Sequence, residues 1–118
     1  MNKLDWRFVA LHPSSSTLIP ERAGLYVIAS ARRVADLPLE FNPVYAGRSK
    51  NLRRRLIDHA DPWREHNVGV ISALLSKDLE FWFTEVPLAQ LNALERKLIQ
   101  TINPAVNQVR YEKGVHHG

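Results

Sequence analysis

Apolar positions recur along this chain with two periods, near two in some stretches and near 3.6 in others, and the switches between them mark its elements. Leu4 to Leu11 sets Trp6 and Phe8 between polar neighbours and predicts a short strand, closed by His12-Pro13 and the Ser14-Ser15-Ser16 loop. Gly24 to Ser30 and Pro43 to Gly47 are dense in strand-favouring residues and predict a hairpin. Their connection, Ala31 to Asn42, is long for a hairpin and contains Pro38, so it is expected to be a mobile loop or to carry structure of its own. Leu52 to Ala60 has helical spacing, with Ser49 or Asn51 as cap and a stop at Asp61-Pro62. A further helix is expected around Gly69 to Leu75, and Leu79 to Val86 reads as a strand with Phe81 and Phe83 toward the core and Trp82 on the other face. Leu88 to Ile102, ended by Asn103-Pro104, is the clearest helix of all.

The two long helical patterns also say which residues sit off the buried stripe. At ~100° per residue, Leu52, Leu56 and Ala60 form one apolar face; Arg55 and His59 border it one turn apart, while Arg54 and Asp58 point to solvent. Arg55 and His59 can therefore act together on one ligand. In the last helix Leu91, Leu94, Leu98, Ile99 and Ile102 share a face, and Glu95 falls inside it. A carboxylate among leucine and isoleucine is costly unless a cation or hydrogen-bond donor meets it, so Glu95 needs a partner.

Charge sharpens the picture more than composition does. The 118 residues fit one domain, with a core at about residues 22–109 and a tail at 110–118, and 45% hydrophobic with 24% charged residues is ordinary for a folded protein. The absence of cysteine removes disulfides and thiolate chemistry, no apolar run approaches the ~20 residues that span a bilayer, and Asp5 interrupts any signal-like N-terminus. A cytoplasmic location is the expectation. The net charge of +4 is modest, yet Arg48, Lys50, Arg53, Arg54 and Arg55 fall within eight residues with no acid among them. Such a cluster favours a polyanion, and these five are the predicted nucleic-acid contacts. His116 and His117 sit beside a terminal glycine and read as a frayed tail rather than metal ligands.

A carboxylate on an inner helix face and a strand-to-helix unit that gathers Tyr45, Arg48, Arg55 and His59 are both what phosphodiester hydrolysis would use. That reaction needs a cation at the phosphorus, a base for water and a fixed positive group for the transition state. With the triplets Gly24-Leu25-Tyr26 and Tyr45-Ala46-Gly47, the chain resembles the GIY-YIG nuclease family, most closely the N-terminal nuclease domain of its bacterial excinuclease branch and its small single-domain members. In that family a cation follows the second motif, an essential arginine lies on the next helix, a metal-binding glutamate on a later one, and an asparagine near the end. Arg48, Arg55, Glu95 and Asn107 occupy those places, and the similarity runs from Gly24 to Asn107. Leu25 and Ala46 replace the usual isoleucines at packing positions, and the longer connection between the motifs becomes a candidate for substrate contact.

The resemblance implies an α/β (α+β) domain with a small central, mainly antiparallel, three-stranded sheet flanked by helices. It also implies a metal-dependent endonuclease acting on DNA, with one Mg2+ (or Mn2+) held by Glu95 and waters. Tyr45 or Tyr26 would take a proton from the attacking water; a free phenol is only about 0.1% ionised at pH 7, so Arg48 and Arg55 must help while clamping phosphate oxygens. His59 would orient the base or touch the phosphate, and Asn107 would brace the site. Two alternatives stand beside this reading. Glu95 can be the structural partner of Arg55, and the chain can be a non-catalytic nucleic-acid-binding or assembly module that retains the fold. No feature of the sequence selects a target, so specificity is expected to be low or supplied in trans by a partner protein.

Overall fold

The computed structural model describes residues 4–61, 69–70 and 78–104. Four strands, β1 (Arg7–Ala10), β2 (Gly24–Val34), β3 (Leu37–Ser49) and β4 (Leu79–Glu85), form one sheet in the order β1-β4-β2-β3. Every pairing is antiparallel. The sheet thus has four strands rather than three, because the N-terminal strand adds to the edge of β4, pairing Phe8 with Trp82. Helix α1 (Leu52–Ala60) follows β3, helix α2 (Leu88–Ile102) follows β4, and a 3-10 segment, Pro13–Leu18, follows β1. No helix among the described residues is long and apolar enough to cross a membrane. Of the helix expected at Gly69 to Leu75, Gly69 and Val70 are helical and the rest lies outside the described residues. Asn107 and the histidine pair also lie outside them.

The near-continuous apolar run from Leu25 to Ala29 follows from the sheet being covered on both sides, since alternate residues point to opposite faces. Tyr26 and Ile28 join Phe81, Phe83, Leu52, Leu56 and Val70 beneath α1. Leu25, Val27, Ala29 and Ala46 join Leu91, Leu98 and Ile99 beneath α2. Gly24 is where the strand meets the start of α1: a Cβ there would stand 2.1 Å from the Thr84 carbonyl oxygen and 2.6 Å from Leu52 Cδ1. The first-turn cap of α1 is Asn51, whose side chain accepts from the Arg54 amide at 3.1 Å. Ser49 braces the turn before it, its hydroxyl accepting from the Asn51 amide and donating to the Asn51 carbonyl. Helix α2 ends on Asn103, which adopts the left-handed conformation at φ 49° and donates its amide to the Ile99 carbonyl at 2.8 Å.

The segment Ala31 to Asn42 is not a loop. β2 and β3 continue through it as a two-stranded ribbon that closes at Ala35-Asp36, with Val34 paired to Leu37 and both turn residues at positive φ, 48° and 68°. Those angles suit a two-residue hairpin turn, whose preferred sequence is Asn-Gly rather than Ala-Asp. Arg32 pairs with Glu40 across the ribbon at 3.3 Å. Arg33 forks onto the Glu80 carboxylate, a bond that raises the guanidinium above its ordinary range, and its charge lies 4.6 Å over the Phe8 ring. Phe41 stands edge-on to Trp82, which itself stacks on Phe8 at 4.5 Å. Beyond these anchors Leu37 to Asn42 are all exposed, because neither helix reaches this end of the sheet.

An L-residue in the left-handed region costs about 1 kcal/mol or more. Replacing Ala35 by Asn and Asp36 by Gly should therefore stabilise the protein by about 1 kcal/mol, read as a rise in thermal midpoint of a few degrees. A fall in the midpoint would show that the turn is not of this type.

Candidate active site

The C-terminal end of β3 carries Tyr45, Gly47 and Arg48, and alternation along it sends successive residues to opposite faces of the sheet. Gly47 pairs with Tyr26 across the strands, and a Cβ on Gly47 would lie 2.7 Å from the Tyr26 phenol oxygen and 2.9 Å from its Cζ. Glycine is required here for closeness: the phenol lies against the neighbouring backbone. From that position the Tyr26 hydroxyl makes a 2.8 Å hydrogen bond with His59 Nε2, and both residues are buried, at 2% and 4% exposure. The helical spacing that sets His59 beside the buried stripe of α1 puts its ring over the sheet. Tyr45 is half-buried at the rim of the same group, its ring centroid 6.0 Å from Tyr26 and 5.4 Å from His59, and Phe81 stacks under Tyr26 at 5.2 Å. Two phenols and an imidazole thus form one aromatic cluster beneath α1.

Arg48, the next residue after Gly47, leaves β3 on the α2 side. Its Nη1 donates to Glu95 Oε1 at 2.9 Å. The Glu95 side chain is only 13% exposed, so this contact answers the need for a partner that its place on the apolar face of α2 creates. The partner is Arg48 and not Arg55, because Arg55 lies on α1 across the edge of the sheet. Arg55 has a buried Nε with no hydrogen-bond acceptor among the described residues.

A cleft of about 670 Å3 opens between the two helices at this end of β3. Arg48, Lys50, Arg54 and Arg55 supply its cationic side, and Leu88, Leu91 and Asn92 of α2 the other. Asp58 also lines it, half-buried rather than pointing freely to solvent. Four of the five clustered cations therefore converge. Arg53 does not: its Nε donates to the Ile19 carbonyl at 2.8 Å and its Nη1 reaches Glu21 at 3.4 Å, so it ties α1 to the segment before β2. Asn107 cannot be placed, since it falls outside the described residues.

The sequence points to Leu91 only as a core residue and to Leu88 only as the start of its helix, and it gives no sign of Asn92. They occupy the first turns of a helix far along the chain, and only the packing of α2 on β3 brings them beside the basic helix. Nothing in their own spacing distinguishes them from ordinary helix residues. Among the described residues no group of three or more His, Asp or Glu side chains gathers in a metal-binding arrangement. Glu95 by itself offers one carboxylate, which fits a hard ion that keeps most of its waters and does not fit a protein-only cage.

The sequence matches no protein-family model and no curated protein. Among solved structures the chain is similar to the GIY-YIG N-terminal endonuclease domain of UvrC from Thermotoga maritima. The form bound to magnesium, its catalytic divalent cation, superposes with a TM-score of 0.54 at 23% identity, covering 80% of this chain and 92% of that one. A tyrosine-to-phenylalanine point mutant of the same domain, also bound to the catalytic divalent cation, gives a TM-score of 0.55 at 20% identity, over 80% and 91% of the two chains. The chain has the GIY-YIG fold.

A methyl group on Gly47 has no room unless Tyr26 moves. Gly47→Ala should break the Tyr26–His59 hydrogen bond and cost about 1–3 kcal/mol of stability. Chemical denaturation reads the cost, and the His59 ring nitrogen resonances read the lost bond. Unchanged resonances would mean that the ring and the strand are not in this contact.

Proposed function

We propose that this protein is a divalent-metal-dependent endonuclease that hydrolyses DNA phosphodiester bonds. The observation that carries the reading is the meeting of Arg48 with Glu95, which brings the acid of α2 to the end of the strand that bears Tyr45 and Gly47. The similarity in fold to an endonuclease domain with a catalytic divalent cation supports it independently. So does the convergence of four cations on one cleft, since a phosphate backbone is the polyanion such a cleft would take.

Each residue then has a part set by its surroundings. Arg48 and Arg55 hold phosphate oxygens, Arg55 through the buried Nε that meets no acceptor among the described residues. Lys50 and Arg54 track the flanking backbone. Tyr45, half-buried at the rim, is the better candidate for the base that meets water, whereas Tyr26 is enclosed. Tyr26 and His59 form a hydrogen-bonded pair behind it, which fixes the Tyr26 ring against that of Tyr45. Asn107 would brace the site by hydrogen bonds. Glu95, with waters, would hold Mg2+ or Mn2+, and the ion when bound supplies neutralisation of charge at the phosphate. Target choice would come from the cleft itself or from a partner protein.

A second reading draws on the same contact. Arg48 already neutralises Glu95, so the carboxylate has a structural partner, and a nucleic-acid-binding module could keep the fold without catalysis.

Glu95→Ala should abolish Mg2+-dependent nicking of supercoiled plasmid while circular dichroism and DNA binding stay near those of the parent, and Tyr45→Phe should slow nicking by about 10²–10⁴-fold. Nicking that survives loss of Glu95 would defeat the reading, and tight binding by the parent with no metal-dependent product would establish the second. Because Arg48 competes with an ion for the same oxygen, Arg48→Met should tighten Mn2+ binding about severalfold, as measured by electron paramagnetic resonance. Weaker or unaltered Mn2+ binding would remove Glu95 as the ligand.

A further inference from the structure

The cleft between α1 and α2 holds more than a phosphate needs. Its volume of about 670 Å3 lies within the roughly 300–1,000 Å3 of pockets that enclose a whole small molecule, and its two walls differ in kind. Lys50, Arg54 and Arg55 on one wall are suited to phosphate. The opposite wall is the first part of α2, where Leu88 presents an apolar side chain to water at 61% exposure beside Asn92, one helical turn on. A large apolar group held open against a cationic cleft gains nothing from an inorganic anion. It gains from a flat, weakly hydrated surface laid across it, and the Asn92 amide offers one donor and one acceptor side by side to the edge of such a surface. A nucleobase has that face and that edge, and it comes attached to a phosphate.

We propose that this cleft is a nucleotide subsite, with the phosphate on the cationic wall, the base lying on Leu88 and its polar edge read by Asn92. In the nuclease reading, on which the chain context of this inference rests, the occupant is a nucleotide neighbouring the cut bond, and Asn92 is a specificity-determining residue. Asp58 also lines the cleft and sets one negative charge among these cations.

The test is binding without metal, so that it stands apart from cleavage. Deoxynucleoside 5′-monophosphates and deoxyribose 5-phosphate, which carry the same phosphate with and without a base, are titrated against the full chain and followed by amide chemical shifts. At least one nucleotide should bind about tenfold more tightly than the sugar phosphate, corresponding to roughly 1.4 kcal/mol for base contacts. Leu88→Ser and Asn92→Ala should each reduce that margin and together erase it, with sugar phosphate binding unaltered. Equal binding of the two ligands by the parent would overturn the proposal, as would variants that retain the margin or lose both ligands alike. A protein that shows the margin yet never nicks DNA would keep this subsite and reject the nuclease reading. One that nicks DNA without any margin would do the reverse.

Discussion

The phenol of Tyr26 lies so close over Gly47 that a methyl group in place of the glycine hydrogen would come within 2.7 Å of its oxygen, and the site end of the sheet is organised around that approach. It holds the Tyr26 ring over the strand, where Phe81 stacks beneath it and His59 meets its hydroxyl. Because His59 sits on α1, the hydrogen bond also fixes how the basic helix lies on the sheet. Gly24 serves the same end at the other strand, admitting the Thr84 carbonyl and the Leu52 side chain where any larger residue would push α1 away. The two glycines are thus needed for space, and the placement of the first-motif tyrosine depends on the second-motif glycine.

Alternation along the end of β3 then divides the candidate residues between two faces. Gly47 belongs to the phenol and imidazole cluster under α1, and Arg48 belongs to Glu95 under α2. The strand is at the edge of the sheet, so the two groups are separated by one strand's width rather than by the whole domain, and the cleft forms around its end. The Arg48–Glu95 pair resolves an electrostatic conflict within the fold: α2 can bury its apolar face only if the carboxylate in that face is answered. The same pair ties the acid to Arg48, which itself lines the cationic cleft.

The far end of the hairpin follows a different logic. Val34, Leu37, Leu39 and Phe41 stand exposed on the ribbon, and an uncovered apolar edge strand invites pairing with other chains. Pro38 and Pro43 lie on that strand and withhold two backbone donors, while the Arg32–Glu40 pair places charge across it. The aromatic contacts of Phe41, Trp82 and Phe8 tie the ribbon to β1 and β4 and let it extend past both helices as a defined element.

Both long helices are legible residue for residue in the sequence, Leu52–Ala60 and Leu88–Ile102, because each buries one stripe and ends at a capping or proline signal. The misfit of Glu95 in such a stripe is equally legible, since a local period is enough to place a carboxylate among leucines. The ribbon is not, because Leu37 to Asn42 face solvent throughout and no burial imposes an alternating pattern on them; its turn lacks the Asn-Gly signature as well. The choice of Arg48 over Arg55 for Glu95, the diversion of Arg53 to Ile19 and Glu21, and the arrival of Leu88 and Asn92 at the cleft belong to the tertiary structure alone. Periodicity tells which face of an element is buried, but not which other element covers it, and each of these contacts joins elements whose meeting depends on how both helices pack against the edge strand.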